Sequence, residues 1–149
     1  MPRPRVQVYN RQIICPISGV FVESLMRTGV AVLEEVTKAG LARVSPPESV
    51  EVSLIGDKEI SLVHAQFMDN ADPTDVITFP YGDDGEILIS VETAERQARE
   101  YKSSFDREIT LYLVHGLLHL AGYDDSSEVA RGEMEELQEA LVSELLEGE

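Results

Sequence analysis

Apolar and polar positions change period several times along the chain, and each change marks an element. "RVQVYNRQIIC" (5–15) alternates loosely and stops at Pro16, which predicts a first strand of edge character. From Val20 to Leu41 the apolar residues Leu25, Val30, Val32, Leu33 and Val36 recur at helical spacing, with Gly40 as the stop. "SVEVSLIG" (49–56) returns to period two through Val50, Val52 and Leu54 and reads as a second strand. Asp57 then has the place of an N-cap, opening a helix to about Phe67 with Ile60 on its apolar face.

"VITFPY" (76–81) and "EILISV" (86–91), joined by Gly-Asp-Asp-Gly, predict a hairpin. "VETAERQAREYK" (91–102) follows as an exposed helix. The run from about Ser104 to Ala121 is apolar on nearly every face (Phe105, Ile109, Leu113, Leu117, Leu120), which places that helix in the middle of the fold. A last amphipathic helix carries Ala130, Met134, Leu137, Leu141 and Leu145 on one stripe. Strands and helices in this mixed order predict an α+β fold with a buried central helix, and 149 residues without repeat or linker predict one domain over 1–149.

Charge narrows the function. Twelve basic and 28 acidic residues give 12 − 28 = −16, so long-range forces repel nucleic acid and anionic membranes. A basic patch remains open: Arg96, Arg99, Lys102 and Arg107 fall close together, as do Arg3, Arg5 and Arg11 near the first strand. A solvated helix in which Glu95 and Glu100 pair the first group is the plainer reading. Cys15 is the single cysteine, so no internal disulfide forms. No apolar run approaches a membrane span and the N-terminus lacks a secretory core, so the cytoplasm is the expected location and no membrane partner is expected.

The chemistry concentrates in "HGLLHLAGYDD" (115–125). Residues four apart share one face of a helix, so His115 and His119 can offer one ring nitrogen each to a single metal. Gly122 can end the helix in the left-handed conformation and turn the chain back. Asp125 then becomes a candidate third ligand, since two imidazoles and a carboxylate make a known catalytic zinc set with one position open for water. Plainer readings stand beside these. The histidines can be hydrogen-bonded core residues, and "DSSE" (125–128) resembles a capping box in which Asp125 or a serine caps the last helix. Asp124 fits either role. Metalloproteases carry Glu directly after the first His; here that residue is Gly116, which ranks a peptidase low. Glu108, seven residues before His115, lies on the same helical face and is the candidate catalytic carboxylate, although an acid in a first turn also suits the helix dipole.

With "DPTDVITFP" (72–80), "GEILIS" (85–90) and "REITLYLVHGLLHLAGYD" (107–124) in that order, the chain resembles the YbeY-type rRNA-maturation endoribonucleases. It matches ten of the eleven positions of their signature H-G-x-L-H-L-x-G-Y-D-H. The resemblance covers most of the chain from the second strand onward. It implies a small mixed sheet flanked by helices and one metal, usually taken as zinc (Zn2+). It also implies single-strand cleavage of ribosomal RNA, at the 3′ end of the small-subunit RNA and in ribosome quality control, with the small ribosomal subunit as partner. His115 and His119 match the first two ligands, and the third falls on Asp125, whose charge makes a bound water less acidic. Many members carry an arginine where this chain has Met68, which removes a fork-shaped phosphate donor. His64, in the same helix, is a partial polar substitute. The alternative is a ribosome-assembly or RNA-binding factor with weak or lost catalysis.

Overall fold

The computed structural model describes residues 3–68 and 74–147, the side chains of residues 68 and 146–147 excepted. The Met68 side chain and the first two residues of "DPTDVITFP" lie outside the described residues. Element order is β1 (Arg5–Asn10), α1 (Gly19–Lys38), β2 (Ser49–Ile55), α2 (Asp57–Met68), β3 (Val76–Tyr81), β4 (Asp84–Ser90), α3 (Val91–Glu100), α4 (Phe105–Leu120) and α5 (Glu128–Glu147). The sheet runs β1-β2-β4-β3. β1, β2 and β4 are parallel and β3 is antiparallel to β4. This is the mixed α+β architecture the patterning implies, with β1 on an edge.

β1 stops five residues short of its expected end because Gln12 takes over the backbone. Its side-chain carbonyl accepts from the amides of Ile14 and Cys15, both at 2.8 Å, and its amide donates to the Cys15 carbonyl at 2.9 Å. A side chain that satisfies three main-chain groups substitutes for a ladder. α1 begins under Ser18, whose hydroxyl accepts from the Phe21 amide at 3.1 Å. The β3–β4 hairpin closes at Gly82 and Asp83, with Tyr81 opposite Asp84. Gly82 has φ +73°, the sign that the first position of a II′ loop demands.

Asp57 does not cap α2; it is the first helical residue. Its carboxylate instead accepts from the hydroxyls of Ser90 (2.7 Å) and Thr93 (3.0 Å) and from Arg96 (2.5 Å). Burial pushes this carboxyl up, but these three donors more than offset it and hold it below its ordinary value. α2 is thereby pinned to α3, which buries Val91, Thr93, Ala94 and Ala98 and is amphipathic rather than wholly exposed.

α1 and α4 cover one face of the sheet, over Val50, Val52, Leu54, Ile87 and Ile89. On the other face Ile60 of α2 meets Ile55, Ile77 and Leu88. Ten of the sixteen residues of α4 are buried, and it touches α1, α3, α5, β3 and β4. Each fully buried aliphatic there contributes about 1.5–3 kcal/mol. A helix held from so many sides is a rigid mount for whatever it carries.

Candidate metal centre

Ser104 starts α4, its hydroxyl accepting from the Arg107 amide at 3.0 Å. The register that follows sends Gly116 toward the sheet, where an added Cβ would stand 3.0 Å from two atoms of Ile87. The position at which a metalloprotease carries its glutamate is thus pressed against β4 and has no room for one. His115 and His119, half-buried, project from the same helix, and their Nε2 atoms lie 3.1 Å apart.

The end of α4 turns the chain back onto these rings. The Gly122 amide donates to the His119 carbonyl and the Tyr123 amide to the Leu118 carbonyl, both at 3.0 Å, which is a Schellman closure. Gly122 has φ +101°, and a Cβ there would meet Arg43 Cβ at 2.9 Å and the Val44 nitrogen at 3.0 Å. Backbone conformation and space both require glycine. Tyr123 is anchored in turn: its hydroxyl donates to the Leu41 carbonyl at 3.0 Å, and the Arg43 guanidinium lies 4.2 Å over its ring. Arg43 also pairs with Glu133 on α5.

The second nitrogen of each imidazole sets its tautomer. His119 Nδ1 stands 3.0 Å from the Tyr123 carbonyl, which can only accept, so Nδ1 carries the proton. His115 Nδ1 stands 2.7 Å from Gln138 Oε1 and donates to it in the same way. Both Nε2 lone pairs are then free and 3.1 Å apart, as in metal-binding histidines whose other nitrogen a carbonyl holds. His119 is held below its ordinary value by burial first and by neighbouring His115 second, against the opposing pull of Asp125. A neutral imidazole is the form a metal takes.

Among the described residues, His115, His119 and exposed Asp125 bring one ligand atom each within 4.8 Å of one another. Zinc–nitrogen bonds of about 2.0–2.1 Å at tetrahedral angles put two nitrogens about 3.3 Å apart. The 3.1 Å between the imidazoles therefore fits such an ion with little rearrangement, and Asp125 closes the remainder by turning an exposed side chain. Two imidazoles and a carboxylate are an acceptable donor set for zinc.

Two competing roles are resolved nearby. α5 is capped by Ser127, whose hydroxyl accepts from the Ala130 amide at 3.1 Å. Asp124 accepts from the amide (3.1 Å) and hydroxyl (2.7 Å) of Ser126. Asp125 is left to face the histidines.

Glu108 is not brought into this cluster. Seven residues of helix separate it from His115 by about 10.5 Å along the axis. It is buried near Tyr112, whose phenol is pushed up by burial first and then by the carboxylates of Asp75 and Glu108. Gln138 is the residue sequence reasoning missed. Its visible signal was a glutamine on the apolar stripe of α5, between Met134 and Leu141, where it is buried.

A sequence model of the family described as endoribonuclease YbeY matches residues 20–146. The chain belongs to the endoribonuclease YbeY family. It is 39% identical over 131 residues to a protein of that name from Heliobacterium modesticaldum, covering 74% of this chain and 79% of the relative. Identity to the Thermotoga maritima endoribonuclease YbeY is 38% over 117 residues, covering 76% and 75%. The solution structure of TM1509 from Thermotoga maritima superposes with a TM-score of 0.66 at 28% identity, covering 94% of this chain and 88% of that one. Within the YbeY fold, this chain's His115–His119 pair is carried by α4 and oriented by α5, and Asp125 stands beside it. Among the described residues no helix is long and apolar enough to cross a membrane.

Proposed function

We propose that this protein is a metal-dependent endoribonuclease that cuts single-stranded ribosomal RNA, at the 3′ end of the small-subunit RNA and in ribosome quality control. Zn2+ is the proposed ion, one per chain, held by His115, His119 and Asp125. The observation that carries the reading is the convergence of two Nε2 atoms at 3.1 Å, each ring fixed through Nδ1 by an acceptor. Membership of a family of endoribonucleases supplies the substrate class.

When bound, the ion supplies Lewis acidity toward a phosphate oxygen and activation of water for attack on phosphorus. The chain's own residues prepare that chemistry. Gln138 and the Tyr123 carbonyl hold the imidazoles in the metal-ready tautomer and prevent ring rotation. Asp125 contributes the anionic oxygen from a loop that the Schellman turn has folded back. Glu108 remains a proposed catalytic carboxylate; with its distance from the histidines, its part is to act on a substrate that spans both. The small ribosomal subunit is the proposed partner and the cytoplasm the proposed location.

Metal analysis tests this. Purified protein is expected to bind about one zinc per chain, and His115→Ala or His119→Ala to lose it, since removing one of three ligands dismantles a site. Zinc-reconstituted wild type without bound metal contradicts the proposal. Bound metal without RNA cleavage favours the assembly-factor reading, to which Asp125 and Met68, standing where the family pattern has histidine and arginine, already lend weight.

A further inference from the structure

Among the described residues six arginines are paired with carboxylates: Arg3 with Glu34, Arg11 with Glu51, Arg43 with Glu133, Arg96 with Asp57, Arg99 with Glu95 and Arg107 with Glu139. The basic run before α4 is thus largely neutralised. Arg5 and Arg27 have no carboxylate within ion-pair reach among the described residues, and both line one groove of about 500 Å³ between β1 and α1. Arg3 stands at the same groove, whose floor is formed by Met26, Val30 and Ala31. Met26 and Val30 are only partly buried against the core.

The groove runs along an open sheet edge. The amides of Arg5 and Arg11 donate inward, to the carbonyls of Glu48 (2.8 Å) and Leu54 (3.0 Å) of the β2 side. Alternation along a parallel ladder then turns the amides and carbonyls of Val6 and Val8 outward, away from β2. Four features therefore coincide: unused main-chain groups on β1, an unfinished apolar floor on α1, and one uncompensated guanidinium on each wall.

We propose that this groove takes an extended segment of a partner protein, added as a fifth strand along β1, in which apolar residues alternate with Asp or Glu. Period two places every second side chain of such a segment over Met26 and Val30 and the others beside Arg5. Arg27, on α1 beside Met26, adds positive charge to the other wall of the groove. Main-chain bonds supply affinity and the alternating contacts supply selectivity, as in other strand additions. A second copy of this chain is a poor occupant, because its β1 (RVQVYN) carries no carboxylate to set beside Arg5 or Arg27. In a chain of net charge −16 an acidic partner is otherwise repelled, so recognition rests on this local reversal of sign.

The test is amide NMR on the isotope-labelled full chain, with and without zinc, so that the state of the metal centre is read separately. The probe is the peptide Glu-Val-Glu-Val-Glu, with Lys-Val-Lys-Val-Lys and a hexauridine RNA in parallel. The acidic peptide is expected to shift the Val6 and Val8 amides and slow their exchange, with Arg5 and Gln7 little changed. The double variant Arg5→Gln/Arg27→Gln is expected to weaken binding about tenfold, and Arg131→Gln, on α5, to leave it alone. Undisturbed Val6 and Val8 amides overturn the proposal, as does an equal effect of Arg131→Gln. If the RNA and not the peptide perturbs the groove, the occupant is nucleic acid and the strand-addition assignment is wrong.

Discussion

Gln138 of α5 accepts a hydrogen bond of 2.7 Å from Nδ1 of His115 on α4, so the packing of two helices decides which ring nitrogen is free. Cutting that bond leaves the ligand in place but lets its ring turn. Gln138→Ala is therefore expected to lower zinc affinity about 10–100-fold. Competition against a chelator of known affinity measures it. Unchanged affinity means that the Tyr123 carbonyl and helix packing suffice to orient the pair.

Ligand and cap separate cleanly in the loop before α5. Asp125→Asn is expected to weaken metal binding steeply and to leave the thermal stability of metal-free protein unchanged, because Ser127 holds the cap. Ser127→Ala is expected to do the reverse, costing about 1 kcal/mol of stability with metal affinity retained. The pair of variants is read by zinc titration and thermal melts. A stability loss in Asp125→Asn without loss of affinity removes Asp125 from the ligand set.

Restoring the metalloprotease pattern is expected to fail. Gly116→Glu places a carboxylate against Ile87 of β4, where a Cβ alone already makes two 3.0 Å contacts. Overpacking and burial of a charge together are expected to cost on the order of 3–5 kcal/mol. Denaturant unfolding checks the cost, and a stable variant that hydrolyses peptides refutes the packing argument.

The parts legible in the sequence are those set by local periodicity. His115 and His119 four apart on an apolar helix require only the helix, and Gly122 as its terminator requires only a positive φ. What the sequence hid is tertiary. Asp57 has the look of a cap, but Ser90, Thr93 and Arg96, more than thirty residues away, hold its carboxylate. The alternation of 5–15 continues past Asn10, yet Gln12 binds its own neighbours and ends β1 there. Asp125, Ser126 and Ser127 are equivalent caps on paper; in the fold α5 starts at Glu128 and Ser127 caps it. Gln138 lies 23 residues from His115, a pairing that no local pattern encodes.

The most direct measurement is cleavage of single-stranded RNA at fixed low salt, comparing zinc-loaded wild type, chelator-stripped wild type, His119→Ala and Asp125→His. Salt must be held because RNA affinity falls steeply with it. The zinc-loaded protein is expected to cut, and the stripped protein and His119→Ala to be inactive. Asp125→His, which replaces a carboxylate by a neutral imidazole and makes the centre more positive by one charge, is expected to retain zinc and cut faster than wild type. RNA cleavage by His119→Ala at the wild-type rate, or zinc-loaded wild type and Asp125→His that both leave RNA intact, contradicts the account.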